Sequence, residues 1–325
     1  MIVEAFAPGK VILFGEHSVV HNRPAIAVAI NRGVCVRLSS RCDSIVSVDV
    51  PLIGYHREHC LVDGRLEYSP SCQDKMITDY IYEVIGLFEF ESGFDLDVDI
   101  QMYLGAGLGS SAATTVSTLK AVSVFVGMDL DLDSIARTAR EVEVSVQGAA
   151  SPIDTSMSTY GGIIYIDDES NLERIDFDMQ LPLIVSDCQV TGNTGRLVEM
   201  VRQKYVNYPD VMTNILDAMG DVAVLARSAL EGGDSVLVAD LMNINQGLLD
   251  AIGVNTLELS DMVYTARLHG AASSKLTGSG GGGCIIAFCP DNIDVVEEKL
   301  SESYPTFKCE LSPTGVESRI IGDGD

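Results

Sequence analysis

The stretch from Leu96 to Val126 constrains the fold more than any other. Leu96, Val98, Ile100 and Met102 alternate with polar residues, which predicts a half-buried strand over 96–103. The strand runs straight into Gly105-Ala-Gly-Leu-Gly-Ser-Ser-Ala-Ala113. Ala112 to Val126 then continues without Gly or Pro, rich in Ala and Val, and stops at Gly127, which predicts a helix. Glycines let a backbone approach a phosphate closely, and the helix that follows turns unpaired N–H groups and its positive dipole end toward an anion. The loop fits neither of two common phosphate signatures: no Gly-Lys-Ser/Thr follows, and Ser110 stands where GxGxxG needs its last glycine. Taken alone, it is either a phosphate cradle or a tight turn beneath a helix.

Charge narrows the partners. With 47 acidic and 21 basic residues among 325, the net charge is −26. Nucleic acid and anionic membranes are held by a basic face that this balance does not supply. Hydrophobic residues reach 46%, which excludes an acidic disordered polymer and leaves a folded chain with an acidic coat. Only 7 of the 21 basic residues are Lys, a pattern that suits a salty cytosol, where screening weakens the repulsion. No apolar run approaches a membrane span and the N-terminus lacks a signal-peptide pattern, so a cytoplasmic protein is expected. The eight cysteines form no CxxC pair, and free thiols are a better reading than a zinc site at His56, His59, Cys60 and Cys72.

Further elements follow from periodicity. Strands are expected at 2–7, ending in a turn at Pro8-Gly9, and at 34–38, 44–50, 163–166, 181–187, 284–288 and around Phe307. Helices are expected at 74–88, 132–146, 197–205, 211–230, 236–251 and 256–269, with His269 at a helix C-terminus. The acid-rich stretch 167–178 reads as a solvated turn and supplies a domain division at 172/173. Residues 322–325 read as a frayed tail.

Two more motifs carry chemistry. In Ala7-Pro-Gly-Lys-Val-Ile-Leu-Phe-Gly-Glu-His-Ser-Val-Val-His21, the cation Lys10, the carboxylate Glu16 and the imidazole His17 stand among apolar residues. In Lys275-Leu-Thr-Gly-Ser-Gly-Gly-Gly-Gly-Cys284, the run of small residues is too dense for a packed strand and too short for a linker. Such a loop lies against a ligand or another backbone.

The ordered set PGKxxLxGEHxVVxxxPAIA, GxGLGSSAA and KLTGSGxGGC resembles the GHMP family of small-molecule kinases, and within it most closely the mevalonate kinases. The resemblance runs from Ala7 to about Phe288. It implies an α+β, two-domain fold: a ribosomal protein S5 domain 2-like N-terminal domain (1–172) and a ferredoxin-like C-terminal domain (173–325), with substrates meeting in the cleft between them. It also implies phosphorylation of the primary hydroxyl of mevalonate by ATP with Mg²⁺; separately, a homodimer is expected, with no nucleic acid or membrane partner.

Residue by residue, the resemblance makes Asp154 the general base and puts Lys10 beside it and the substrate hydroxyl. Ser111 and Glu143 would hold Mg²⁺. Leu104, Gly105, Ala106, Gly107, Leu108, Gly109, Ser110, Ser111, Ala112 and Ala113 form the ATP-binding stretch. Glu16, His17 and Thr194 join Lys10 and Asp154 on the acceptor side. The sequence departs from the family pattern at Pro152, where glycine is usual, at Gln147, where histidine is common, and at Tyr103, where proline is usual. Pro152 stiffens the approach to Asp154 and has no N–H to donate. The four residues central to transfer are all present, so an active kinase is expected. The alternatives are another acceptor, such as phosphomevalonate or a sugar, or a nucleotide sensor that has lost catalysis. A dinucleotide oxidoreductase is a distant third, because a helix fills the interval where its acidic ribose ligand would lie.

Overall fold

A computed structural model describes residues 1–68, 77–128, 130–148, 151–177 and 179–322. Cys72, the start of the helix expected at 74–88, and residues 323–325 of the expected tail lie outside the described residues.

The chain builds two sheets. The first is entered by β1 (Ile2–Phe14), β2 (Ala25–Ser40), β3 (Ile45–Val50), β4 (Tyr55–Val62) and β5 (Arg65–Leu66). After α1 (Ile77–Ile85) come β6 (Phe94–Ile100), α2 (Ser110–Phe125), α3 (Leu132–Gln147), α4 (Pro152–Tyr160), β7 (Ile163–Ile166) and β8 (Leu172–Ile175). The order β13-β1-β2-β6-β3-β4-β5 is closed at one side by β13 (Glu317–Ile321), while β7 pairs with β2 and β8. All these pairings are antiparallel except β3 with β6.

The second sheet has the order β10-β11-β9-β12, from β9 (Leu183–Asp187), β10 (Ser273–Leu276), β11 (Cys284–Phe288) and β12 (Thr306–Cys309). Between β9 and β10 lie α5 (Thr194–Asn207), α6 (Pro209–Glu231), α7 (Ser235–Ala251) and α8 (Leu257–Leu268); α9 (Ile293–Ser301) precedes β12. Numbering these four strands along the chain gives the spatial order 4-1-3-2 with every pair antiparallel, the ferredoxin-like arrangement that was expected.

Local chemistry explains the elements that position the site. In β6 the alternating Leu96, Val98 and Ile100 are buried. Helix α2 packs on β1 and β2 and is flanked by α1, α3 and α4, so nearly all its faces are enclosed. That position demands small residues, and its hydroxyls pay their own way: Thr114, Thr115 and Ser117 donate to the carbonyls of Ser110, Ser111 and Ala113 at 2.7–2.9 Å.

Several expectations need correction. The strand at 2–7 does not turn at Pro8-Gly9; β1 continues to Phe14, and a break in register at Pro8/Gly9 absorbs the proline without ending the pairing with β2. The stretch 167–178 is not all turn, because β8 pairs there with β7 as a hairpin. The loop expected from Lys275 onward begins after Leu276, because Lys275 and Leu276 belong to the fully buried strand β10. β8 lies across the division expected at 172/173, and β13 returns from the C-terminal half to pair with β1.

Candidate active site

Lys10 sits two-thirds of the way along β1, where its backbone N–H donates to Leu108 O at 2.9 Å, so the strand is laced to the glycine loop. Its side chain is buried, and Nζ lies 3.1 Å from Asp154 Oδ1. Asp154 occupies the first turn of α4. That helix is anchored to β1 by Ser158 Oγ, which donates to Pro8 O at 2.9 Å. Asp154 does not cap the helix: Ser151 does, its hydroxyl accepting from Ile153 N. The carboxylate is thereby left to face Lys10 and the cleft.

The glycine loop leads into α2 without a side-chain cap, and Gly109 at the cap position has φ +73°. A Cβ there would make a tight 3.1 Å contact with Lys10 Cγ, and the left-handed backbone favours glycine. The first-turn amides are thus uncapped at the mouth of the loop. The Ala113 amide is taken by Gly109 O at 3.0 Å, and both Ala112 and Ala113 have fully buried side chains. Leu104 packs against the core.

Ser111 Oγ donates to Glu143 Oε1 at 2.9 Å, joining α2 to α3. Glu143 is 4% exposed, and among the described residues no cation lies within ion-pairing distance of it. Burial pushes its carboxyl up to about 7, against the opposing pull of the Ser111 hydroxyl. A charge-starved carboxylate beside a hydroxyl fits Mg²⁺, a hard cation that takes one or two protein oxygens and completes its shell with water and phosphate. Among the described residues, no group of three or more His, Cys, Asp or Glu could hold a metal without such help.

Lys10, Asp154 and the start of the glycine loop open on one cleft of about 300 Å³, lined among others by Glu16, His17, Gly105, Gly107, Thr194 and the residues 277–280. Thr194 contacts Ser279 Oγ at 3.0 Å across the cleft. The glycines of 278–283 lie against other backbones: a Cβ at Gly280 would collide with Val254 O, and Gly107 faces Gly278. His17 holds a left-handed φ of +61°, which is unusual for a residue with a side chain. Its Nε2 donates to Ser279 O at 2.8 Å, because a carbonyl can only accept. Its Nδ1 is buried without a hydrogen-bond partner, and burial holds the ring below its ordinary pKa, hence neutral.

Glu16, expected on the acceptor side, lines the cleft and is also held from within the protein. It is 1% exposed, and both carboxylate oxygens are engaged, one by Lys275 and the other by Asn245 Nδ2 at 3.0 Å. Sequence reasoning missed Lys275 and Asn245. Lys275 stood in the third motif, and its isolation among apolar and small residues was the available signal; Asn245, on α7, gave none. Tyr80 was missed too, although its hydroxyl accepts from Gln147 next to the Ser111–Glu143 pair.

Comparison with known proteins matches this geometry. The family model GHMP kinases N terminal domain covers residues 79–162, and GHMP kinases C terminal covers 226–306. The mevalonate kinase of Methanothermobacter thermautotrophicus is 40% identical, over 96% of this chain and 98% of its own length. The chain belongs to the GHMP kinase family. Another relative, the mevalonate kinase of Pyrococcus furiosus, is 39% identical over 90% of each chain. The crystal structure of the Methanococcus jannaschii mevalonate kinase is similar with a TM-score of 0.83 at 26% identity, covering 96% of this chain and 98% of that one. A crystal structure of L. major mevalonate kinase in complex with R-mevalonate gives 0.81 at 25% identity, over 95% and 96%.

In this GHMP kinase the unusual Pro152 takes the first position of α4. A first-turn residue has no intrahelical partner for its N–H, so the missing donor costs nothing there. The thiols that the structure describes are free, and His56 and His59 engage Asp49 and Tyr82. Among the described residues, no helix is long and apolar enough to cross a membrane.

Proposed function

We propose that this GHMP kinase transfers the γ-phosphoryl group of ATP to the primary hydroxyl of mevalonate, giving 5-phosphomevalonate and ADP. The observation that carries the reading is the 3.1 Å approach of Lys10 Nζ to Asp154 Oδ1 in a cleft shared with the glycine loop. Asp154 takes the proton of the hydroxyl as its oxygen forms the new bond to phosphorus and the bond from phosphorus to the ADP oxygen breaks. Lys10 orients the Asp154 carboxylate and offsets the negative charge that gathers on the transferring group. The loop amides from Gly105 to Ser111 hold phosphate oxygens, and the dipole of α2 favours their charge. Ser111 and Glu143 would hold Mg²⁺, which supplies charge neutralisation at the β- and γ-phosphates. His17 and Thr194 line the acceptor side, His17 presenting an unpartnered Nδ1.

The long coverage by mevalonate kinases supports the acceptor assignment. The reading extends to a cytoplasmic enzyme with reduced thiols and to a homodimer, which a mass measurement by light scattering checks. The deciding experiment is turnover of mevalonate, phosphomevalonate and galactose in parallel with ATP and Mg²⁺. Mevalonate should be the acceptor turned over. Turnover of another acceptor alone, or nucleotide binding with no turnover, overturns the proposal.

A further inference from the structure

The floor of the cleft contains a buried ionic group that phosphoryl transfer does not use. Lys275, on β10, is wholly buried and reaches Glu16, which is buried on the turn after β1. Lys275 Nζ also donates to Leu276 O at 2.6 Å. Asn245, fully buried on α7, donates to the other Glu16 oxygen, and its neighbour Gln246 accepts from Leu276 N at 2.9 Å. Two elements distant in the chain, β10 and α7, therefore converge on one carboxylate.

The convergence has a pattern. Alternate residues of one segment each meet the N-terminal motif: Lys275 meets Glu16, Thr277 meets the backbone of Ile12, and Ser279 accepts from His17. Thr277 Oγ1 accepts from Ile12 N at 2.9 Å and donates to Ile12 O at 3.1 Å. The turn they grip holds two left-handed residues, Gly15 at φ +92° and His17 at φ +61°. A non-glycine residue in that region persists only where its surroundings over-determine it. The ionic group supplies that constraint directly beside His17.

We infer that Lys275 is a positioning residue: with Asn245 it holds the Glu16 carboxylate, and through it the Gly15–His17 turn, so that His17 faces the acceptor only when the second sheet is docked on β1. Glu16 acts through this group: both of its oxygens are held from inside the protein, one by Lys275 and the other by Asn245. The inference rests on the mevalonate kinase reading and adds to it a separation of roles: the acceptor side depends on the ionic group, the nucleotide side on the glycine loop.

The test uses Lys275→Met, Glu16→Gln and the double variant, with wild-type turnover of mevalonate as the control. If the wild type fails on mevalonate, the functional reading falls; if it turns over and the variants behave otherwise than follows, the inference falls. Lys275→Met should raise KM for mevalonate on the order of 10- to 100-fold, the scale of a misplaced binding group, while KM for ATP stays within about twofold. Removing one partner leaves an uncompensated buried charge, whereas replacing both does not. The double variant should therefore melt at a higher temperature than either single variant and recover part of the KM for mevalonate. Should Lys275→Met fail to fold, the double variant, with no charge buried, carries the test through its KM values. Three results would overturn the inference: Glu16→Gln raising KM for mevalonate while Lys275→Met leaves it alone, equal losses for both substrates, or a double variant no more stable than the singles.

Discussion

Lys10 Nζ and Asp154 Oδ1, from a strand and a helix remote in sequence, meet at 3.1 Å with the lysine side chain 7% exposed and the aspartate 30%. Such a pair divides two tasks: one side chain can take a proton while the other, fixed in charge, steadies it. Asp154→Asn keeps the shape and a weak contact with Lys10 but cannot take a proton. Turnover should fall on the order of 10²- to 10⁴-fold, the range for losing general-base help. Nucleotide affinity measured by calorimetry should stay within about twofold, because the phosphates are held elsewhere. Equal loss of both would assign Asp154 to nucleotide binding.

Glu143 sets function against stability. Its carboxyl is pushed up to about 7 by burial, whereas an unfolded chain would have it near 4.5. A raised acid costs stability: the cost is absent below about pH 4.5, grows as pH rises toward 7, and is complete above that. Glu143→Gln retains an acceptor for the Ser111 hydroxyl and removes the cost. The metal-free variant should therefore be more stable at pH 8, by on the order of 3 kcal/mol in denaturant titration, and the gain should vanish near pH 4. Turnover should drop sharply, and higher Mg²⁺ should restore little of it. A variant less stable than wild type at pH 8 would sink this account.

The glycine loop and its helix were legible because both signals are local: alternation in β6, then glycine, then a run free of Gly and Pro. The ferredoxin-like order of the second sheet came only with the family resemblance, since sequence periodicity does not specify strand neighbours. Asp154 was likewise visible by resemblance alone; its chemistry depends on Lys10, which no spacing connects to it. Pro8-Gly9 reads as a turn because both residues punctuate structure, yet a register break within a long antiparallel pair accommodates them. Glu16 was placed on the acceptor side by resemblance alone, and its partner Lys275, 259 positions away, could not be read from local sequence.

Gly109 tests the junction of loop and base. Its φ of +73° and the 3.1 Å that a Cβ would leave to Lys10 Cγ make alanine costly twice over. Gly109→Ala should lower stability by roughly 1–2 kcal/mol through left-handed strain, read by urea unfolding. It should also displace Lys10, lowering kcat by about tenfold or more. A variant with normal kcat and reduced stability would detach the loop from lysine placement.

Pro152 should prove benign. It sits at the first position of α4 behind the Ser151 cap, where its fixed φ suits the helix and its missing N–H has no partner to lose. Pro152→Gly should destabilise the protein by about 0.4–1 kcal/mol, through the greater freedom of the unfolded chain. Turnover should remain within about twofold of wild type, since Pro152 touches neither Lys10 nor the acceptor side. A severalfold rise in kcat would mean that the stiff approach to Asp154 restrains the enzyme.

Salt should act on the surface and spare the site. A net charge of −26 repels itself over distances that shrink from ~10 Å at 0.1 M ionic strength to ~3 Å at 1 M. The exposed pairs, such as Arg65 with Glu89 at 71% and 68% side-chain exposure, contribute little that salt could remove. Lys10–Asp154 and Lys275–Glu16 lie in or under the cleft, where screening is weak. Raising KCl from 0.1 M to 1 M should therefore raise the melting temperature, while turnover holds or increases. The same titration with NaCl separates screening from a specific effect of potassium, because screening predicts superimposable curves. A steady loss of turnover as KCl is added from low-salt buffer would show that the acidic coat is no adaptation to salt.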